Sequence, residues 1–557
     1  MIVFENLDKK LELVRNHSFY KEYIELYKNR FDEFENNEIP ALNYSDFICF
    51  KNNGTRHEFE NKYFERRDRL VTSFILYLIY NEDKYYNMLL DSMWAICGEI
   101  SWVVPAHLPL KDVSKFRTHI DIFAAETAEY LSEIVYLIGD RLPEELKNLV
   151  VYEVQERIFV SYETGNFWWE TLNSNWAAVC AGSIGMAYMQ IAPERFEKVK
   201  DRLLDTINCF LDGYGDDGCC IEGPAYWEYG FGYFINFADM LYKFTDGKTD
   251  LLHNRKVENI ALYLQFVIMR KDILVSFSDS GRSFKGINIG LYSFLCDTYK
   301  ATVPFVKKKV YEQQSSGCRL SYAVRNFLWS DPGHYENNKT SLKDVTKYYE
   351  DAKWFVVKKK QYTFAAKAGH NGEEHNHNDI GSFIFADDSG QILVDIGSME
   401  YTKENFAPQT RYTFLQNSSL GHSVPIIGGH PQKEGKEFFG KVIKVNENGF
   451  SLEMQNAYDV YAENVTRSFA MLENGVKMSD SFVTEENEII ERFVSLIRPS
   501  IENDGVHIGN AVLICDKAPV IDSQRIILHS GAEVIVYLID FMVNDNKFEI
   551  EILLESL

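Results

Sequence analysis

Between about residues 60 and 330 the apolar side chains recur at i, i+3 and i+4, clearly so over 70–80, 86–100, 120–138 and 196–211, the spacing that lines one face of an α-helix. Beyond about residue 345 the repeat shortens. Runs at 354–357, 362–366, 383–385, 392–394, 426–427, 489–497 and 534–538 are brief, β-rich and separated by turn formers, which predicts strands. Residues 328–342, with Asp331-Pro332-Gly333 and Asn337-Asn338, carry the turn signals of a linker. Segregation of helices from strands predicts a multidomain chain, all-α over residues 1–335 and all-β over 346–557, with a ligand groove between the two. An unbroken succession of helical segments suits a toroid of paired helices.

A length of 557 residues exceeds what one hydrophobic core supports, in keeping with more than one unit. The 46% hydrophobic and 25% charged composition is that of a soluble globular protein. Aromatic content is high at 14%, with clusters such as Phe167-Trp168-Trp169 and Tyr226-Trp227-Glu228-Tyr229 that suit sugar faces as well as a core. A net charge of −24 argues against nucleic acid, because no extended basic face is available for phosphates. The densest basic run, Lys358-Lys359-Lys360, reads as a solvated strand end. An anionic substrate therefore requires a cleft that is locally positive. The first residues lack a basic region followed by an apolar run, and no apolar stretch is long enough to span a bilayer. Nine scattered cysteines fit reduced thiols, so a cytoplasmic protein with no membrane partner is expected. Oligomeric state is not fixed, and a homo-oligomer stays open.

Candidate chemistry is densest in His370-Asn371-Gly372-Glu373-Glu374-His375-Asn376-His377-Asn378-Asp379, which holds three imidazoles and three acids. If this segment is extended, His375 and His377 share one face. The alternating stretch 380–394 comes next as two strands around Asp387-Asp388-Ser389-Gly390, delivering Asp395 at its end, with His422 further on. Two histidines and an aspartate make a donor set that suits zinc, whereas a plain polar hairpin would leave the imidazoles solvated. Three segments in the helical half also stand out. Residues 94–107 form an aromatic-rich helix closed by Pro105 and followed by His107. Asn173-Ser174-Asn175-Trp176 opens a small-residue helix, where one asparagine is explained as a cap and the other is free to bond a substrate carboxylate. Asp216-Asp217-Gly218 and Glu222-Gly223-Pro224 form an irregular turn ahead of Tyr226 and Tyr229. Those tyrosines are either core aromatics or, near positive groups, proton carriers.

Together these segments resemble the heparinase II/III-like superfamily of polysaccharide lyases, including its alginate and oligoalginate lyase relatives. Residues 94–107, 173–176, 222–230, 367–385 and 412–432 carry the resemblance in order over most of the chain, most specifically at 375–383. It implies an N-terminal α/α toroid followed by a C-terminal antiparallel β-sandwich, in agreement with the periodicity. It also implies β-elimination at a uronic acid, without a hydrolytic water. Carried over by position, Asn175 sits on the substrate carboxylate and His375 acts at the catalytic centre. Tyr229 is the first choice for the acid/base, with Tyr226 as the alternative. His377, Asp395 and His422 match the family's metal positions, implying a structural Zn2+ that supports the loop carrying His375. Ser423 stands where relatives carry asparagine after that last histidine. The implied partner is an anionic uronate-containing oligo- or polysaccharide, whether heparin-like, chondroitin-like, hyaluronan-like or alginate. Two competing readings are a glycoside hydrolase using Asp217 and Glu222, and a non-catalytic glycan-binding protein.

Overall fold

The computed structural model describes residues 6–284, 286–302, 319–336, 344–373, 375–400, 402–407, 409–460, 462–486 and 488–555. Helices occupy the chain as far as Pro332–Glu336, and apart from the short pair Ile268–Arg270 and Ile273–Leu274 the strands begin at Val345–Tyr349. The stretch expected to be a linker thus includes a helical turn, and residues 337–343 lie outside the described residues. An N-terminal α/α toroid followed by an antiparallel β-sandwich describes the chain.

Three helices position the helical side of the site: α1 (Ile122–Ile138), α2 (Asn175–Ile191) and α3 (Pro224–Phe244). Asp121 caps α1, its carboxylate accepting the Ala124 N–H at 2.8 Å. Helix α2 lies between the other two and packs on both. Its small residues are the reason it can. A Cβ on Gly182 would stand 3.3 Å from the Tyr233 carbonyl oxygen, and one on Gly185 only 2.4 Å from the Phe237 ring. The residue capping α2 is Ser174, not an asparagine, and its side chain makes no capping bond; Asn175 is the first residue inside the helix.

Among the described residues the β half contains three antiparallel sheets. A five-stranded sheet runs in the order Val345–Tyr349, Trp354–Lys358, Thr363–Lys367, Phe383–Asp387, Gly390–Leu393. Both faces of its three central strands are buried, which explains the near-continuous apolar runs there. Trp354, Val356, Ala365, Ile384 and Ala386 join the core of the helical half. The alternate residues Phe355, Val357, Phe364, Phe383 and Phe385 face the core shared with the other sheets, against Phe450, Phe469 and Phe493. The five-stranded sheet is therefore the layer that welds the two halves. Lys358 belongs to this weld and is not a solvated strand end. Its ammonium donates to the Gln265 carbonyl at 2.7 Å, and burial pulls its pKa down to about 8. Among the described residues no helix is long and apolar enough to cross a membrane.

Candidate active site

Contacts between α1, α2 and α3 bring their N-terminal ends to one rim. A Cβ on Gly230 would lie 3.0 Å from the Asn175 Cβ, so only glycine lets α3 approach α2 this closely. Buried Asn175 is thereby held in the first turn of α2, beside the turn of α3 that carries Tyr229. The Tyr229 hydroxyl donates to Glu126 Oε1 of α1 at 3.1 Å, and Arg319 Nε donates to the same oxygen at 2.9 Å. The Arg319 guanidinium also lies 4.0 Å from the centre of the Tyr229 ring. Burial, and then the charge of Glu126, push the Tyr229 phenol well above its usual range despite Arg319. The phenol therefore stands protonated. At the same rim His107 Nδ1 is 2.8 Å from Asp121, and its ring centre is 5.2 Å from that of Trp176, which in turn meets the exposed Trp168 at 4.8 Å.

The facing wall comes from the β half. His375 adopts a left-handed backbone (φ 54°), and its imidazole stacks on Tyr226 with ring centres 4.3 Å apart and planes 24° from parallel. Its Nδ1 is 3.0 Å from Asp279 Oδ2 and 3.4 Å from the Tyr226 hydroxyl, while Nε2 is 3.7 Å from Glu222 Oε2. Burial pulls the His375 pKa down, but Asp279 and Glu222 outweigh it and leave the net shift upward. Asp279 also reaches the second histidine, with Oδ1 3.1 Å from His377 Nε2. Against the upward pull of burial, these two histidines hold the Asp279 carboxyl far below the usual range. Arg411 Nη2 sits 3.6 Å from Asp279 Oδ2 and donates to the Asn376 carbonyl at 3.0 Å.

The extended segment expected around His375 and His377 is not formed. The strand Gly369–Asn371 ends before it and the next begins at Phe383. Side-chain amides and an ion pair take the place of a strand ladder. Gln432 accepts the Ile380 N–H at 2.9 Å and donates to the Ile380 carbonyl at 2.8 Å. The Asn378 N–H goes to the Asn417 carbonyl, and Asp379 pairs with Lys367 at 2.8 Å. The two histidines meet the same Asp279 carboxylate, through different nitrogens.

Behind His377 lies the candidate metal centre. His377 Nδ1, Asp395 Oδ2 and His422 Nδ1 are buried and make no hydrogen bond. His377 Nδ1 is 3.9 Å from Asp395 Oδ1 and His422 Nδ1 is 3.4 Å from Asp395 Oδ2, with one ligand atom from each residue falling within 4.8 Å of the others. The far nitrogen of each imidazole is engaged, His377 Nε2 by Asp279 and His422 Nε2 by the Gln416 carbonyl at 2.9 Å. Two imidazoles and one carboxylate converging with unsatisfied lone pairs, each ring oriented from behind, fit a zinc ion. Ser423 keeps this loop in place: its hydroxyl accepts the Val494 N–H at 3.2 Å and its carbonyl accepts from Arg467 at 2.8 Å.

Several residues of this site escaped the sequence reading. Asp279 lies in an irregular segment and Arg411 opens a single 3-10 turn, Arg411–Thr413, and no motif marks either. Glu126 did have a signal: together with Glu129 and Glu133 it is an acid on a mostly uncharged helix that is buried throughout residues 122–134. Acids so placed demand partners, here Arg319 for Glu126 and Arg325 for Glu133. Asp217, one half of the carboxylate pair a hydrolase would use, accepts the Cys219 N–H through Oδ1 and the Asp351 N–H through Oδ2.

Residues 344–493 match the family described as heparinase II/III-like, C-terminal. No curated protein matches the chain in sequence. Among solved structures, the heparan sulfate lyase HepC from Pedobacter heparinus is similar at 12% identity and a TM-score of 0.58, covering 99% of this chain and 91% of that one. A heparinase III is similar at 11% identity and a TM-score of 0.59, covering 99% and 92%. A chondroitin AC lyase of Streptomyces coelicolor A3, solved with chondroitin sulphate, is similar at 8% identity and a TM-score of 0.57, covering 99% and 82%. The chain therefore carries a heparinase II/III-like C-terminal region, within the toroid-and-sandwich fold of the heparan sulfate and chondroitin lyases.

Proposed function

We propose that this protein is a polysaccharide lyase that cleaves a uronate-containing glycan by β-elimination, at the seam where the helical rim meets the His375 loop. The observation that carries the reading is the meeting of His375 from the β half with Tyr226, Glu222 and Asp279 from the helical half, next to the Asn175 and Tyr229 rim. Elimination at a uronate needs three things. The carboxylate must be neutralised, because its charge opposes loss of the proton on the adjacent carbon; that proton must be taken; and the departing oxygen must receive one. Asn175 is suited to the first, since a neutral amide donates to a carboxylate without competing for cations, and the bond strengthens as charge moves onto the enolate-like carboxylate. His375 is suited to the second, with Asp279 on Nδ1 and Nε2 to take the proton, 3.7 Å from Glu222, whose charge stabilises the imidazolium that results. Tyr229, held protonated, is suited to the third, with Arg319 over its ring to stabilise the phenolate that remains. The electron pair of the broken C–H bond becomes the new C=C, and the pair of the C–O bond leaves with the oxygen. No water is consumed.

His377, Asp395 and His422 would hold a zinc ion, which would supply positive charge and cross-link the loop. Related folds act on heparan sulfate or chondroitin, which supports an anionic glycan, but the particular uronate is to be found by assay. The hydrolase reading needs Asp217 and Glu222 as a working pair, whereas Asp217 has both oxygens engaged by backbone. A panel of uronate oligosaccharides followed by ultraviolet absorbance tests the proposal. A rise from unsaturated uronate is expected; new reducing ends without absorbance would replace elimination by hydrolysis.

A further inference from the structure

Asp279 lies between the strand Ile273–Leu274 and the helix Ile289–Tyr299, in a polar segment, 276–280, that is nevertheless buried. Its place is tightly determined. Ser278 holds a left-handed backbone (φ 63°), which for a residue with a Cβ costs on the order of 1 kcal/mol, and its hydroxyl donates to the Ile221 carbonyl at 3.0 Å. On the other side Ser280 fits against Gly223, where a Cβ would come within 2.7 Å. Both contacts clamp the segment to the turn that carries Glu222 and starts α3. The clamped carboxylate then projects between two histidines of the other half, Oδ2 at 3.0 Å from His375 Nδ1 and Oδ1 at 3.1 Å from His377 Nε2.

We propose that Asp279 is a positioning residue that couples the zinc-ligating end of the loop to its catalytic end, by accepting one N–H from each of His375 and His377. The proposal rests on the lyase reading and deepens it. A carboxylate oxygen offers only lone pairs, so the nitrogen facing it must carry the proton. This puts a proton on His375 Nδ1 and turns Nε2 toward Glu222, 3.7 Å away, on the seam proposed for the sugar. It likewise puts the His377 proton on Nε2 and leaves Nδ1 aimed at Asp395 and His422. One anion thus selects both tautomers, and each selection is the one its histidine needs. The Tyr226 hydroxyl, at 3.4 Å from His375 Nδ1, is the more distant partner of that nitrogen. Arg411 keeps the carboxylate from being unbalanced in charge. An asparagine cannot reproduce the device, since its amide has one accepting oxygen and one donating nitrogen. With Asp279→Asn one of the two histidines must turn over its tautomer.

The test uses the full chain with Asp279→Asn and Asp279→Ala. Zinc affinity is read by competition with a chromogenic chelator, and kcat and KM on a cleaved oligosaccharide are read separately. The expected result for Asp279→Ala is a loss of zinc affinity of about 10–100-fold and a fall in kcat of at least about 100-fold with KM within about threefold, as tautomer loss gives in other carboxylate–histidine pairs; Asp279→Asn shows at least one of the two losses. Stripping zinc should lower kcat in the parent and change it no further in Asp279→Ala. Parental zinc affinity or kcat within about twofold of the parent in Asp279→Ala, or both of them in Asp279→Asn, would overturn the proposal. Nitrogen-15 histidine spectra of the unmodified protein decide the matter even if the variants fail to fold: a proton on His375 Nε2, with Nδ1 bare, contradicts it. If no oligosaccharide is cleaved, the lyase reading fails by itself, while the zinc and tautomer measurements still judge Asp279.

Discussion

Replacing Tyr229 by phenylalanine separates chemistry from folding because its hydroxyl donates to a carboxylate that keeps another partner. Glu126 retains Arg319 at 2.9 Å when the tyrosine bond at 3.1 Å is lost, so no charge is orphaned. The folding cost is that of one net hydrogen bond, about 1 kcal/mol. The cost to catalysis is much larger. Removing a positioned proton donor lowers turnover by roughly 10²–10⁴-fold, which is about 3–5 kcal/mol of transition-state stabilisation. Initial rates of ultraviolet absorbance on a cleaved oligosaccharide give kcat, and thermal unfolding of the same samples gives the folding term. Tyr226→Phe is the control: the ring that stacks on His375 survives, and a loss under about tenfold is expected for a hydroxyl 3.4 Å from Nδ1. Retention of kcat within about twofold in Tyr229→Phe would refute the assignment. A large loss in Tyr226→Phe instead would move the role to that residue.

Other perturbations probe the frame and the metal centre. Arg467→Met should destabilise the β half by about 3–5 kcal/mol in denaturant titration, because it strands Asp480 and Glu491, bonded at 2.6 and 2.7 Å, and frees the Gly381 and Ser423 carbonyls. A change under about 1 kcal/mol would contradict this. Burial raises the Glu228 pKa from 4.5 to about 7 in spite of two hydrogen bonds from Asn288, so the folded state holds a proton that the unfolded chain releases between those values. Its stability contribution is complete below about pH 4.5 and is lost as pH rises through about 7, so Glu228→Gln should be increasingly more stable than the parent from pH 5 to 8, by about 1–3 kcal/mol; a pH-independent difference would argue against it. His377→Ala should abolish bound zinc by elemental analysis, and undiminished zinc would remove His377 from the metal centre.

Much of the architecture was legible because period and burial coincide. The segment 120–138 became Ile122–Ile138, and 196–211 became Pro193–Asp212. Strand positions were also readable, 354–357 within Trp354–Lys358 and 534–538 within Glu533–Met542. What periodicity could not reveal was which faces meet. The strand Trp354–Lys358 is apolar on both sides, so its pattern carried no hint that Trp354 and Val356 belong to the helical core. The candidate site was legible to the extent that chemistry clusters in sequence: His375 and His377 with Asp395 and His422 stood out as candidates, as did Asn175 and the two tyrosines. The geometry of the His375 loop was not, because buried side chains of distant segments, Gln432 among them, hold a conformation that no local propensity encodes. Asp279 belongs to the same class. Its histidine partners lie about a hundred positions away, and its own neighbourhood, Ser278-Asp279-Ser280, looks like an ordinary turn.

The most direct measurement is mass spectrometry of the two fragments made from one defined uronate oligosaccharide in oxygen-18 water. Elimination at the His375–Tyr229 seam predicts fragments whose masses sum to that of the parent, with no label in either and the unsaturation in the uronate. Fragments whose masses sum to parent plus one labelled water would contradict the account at its root.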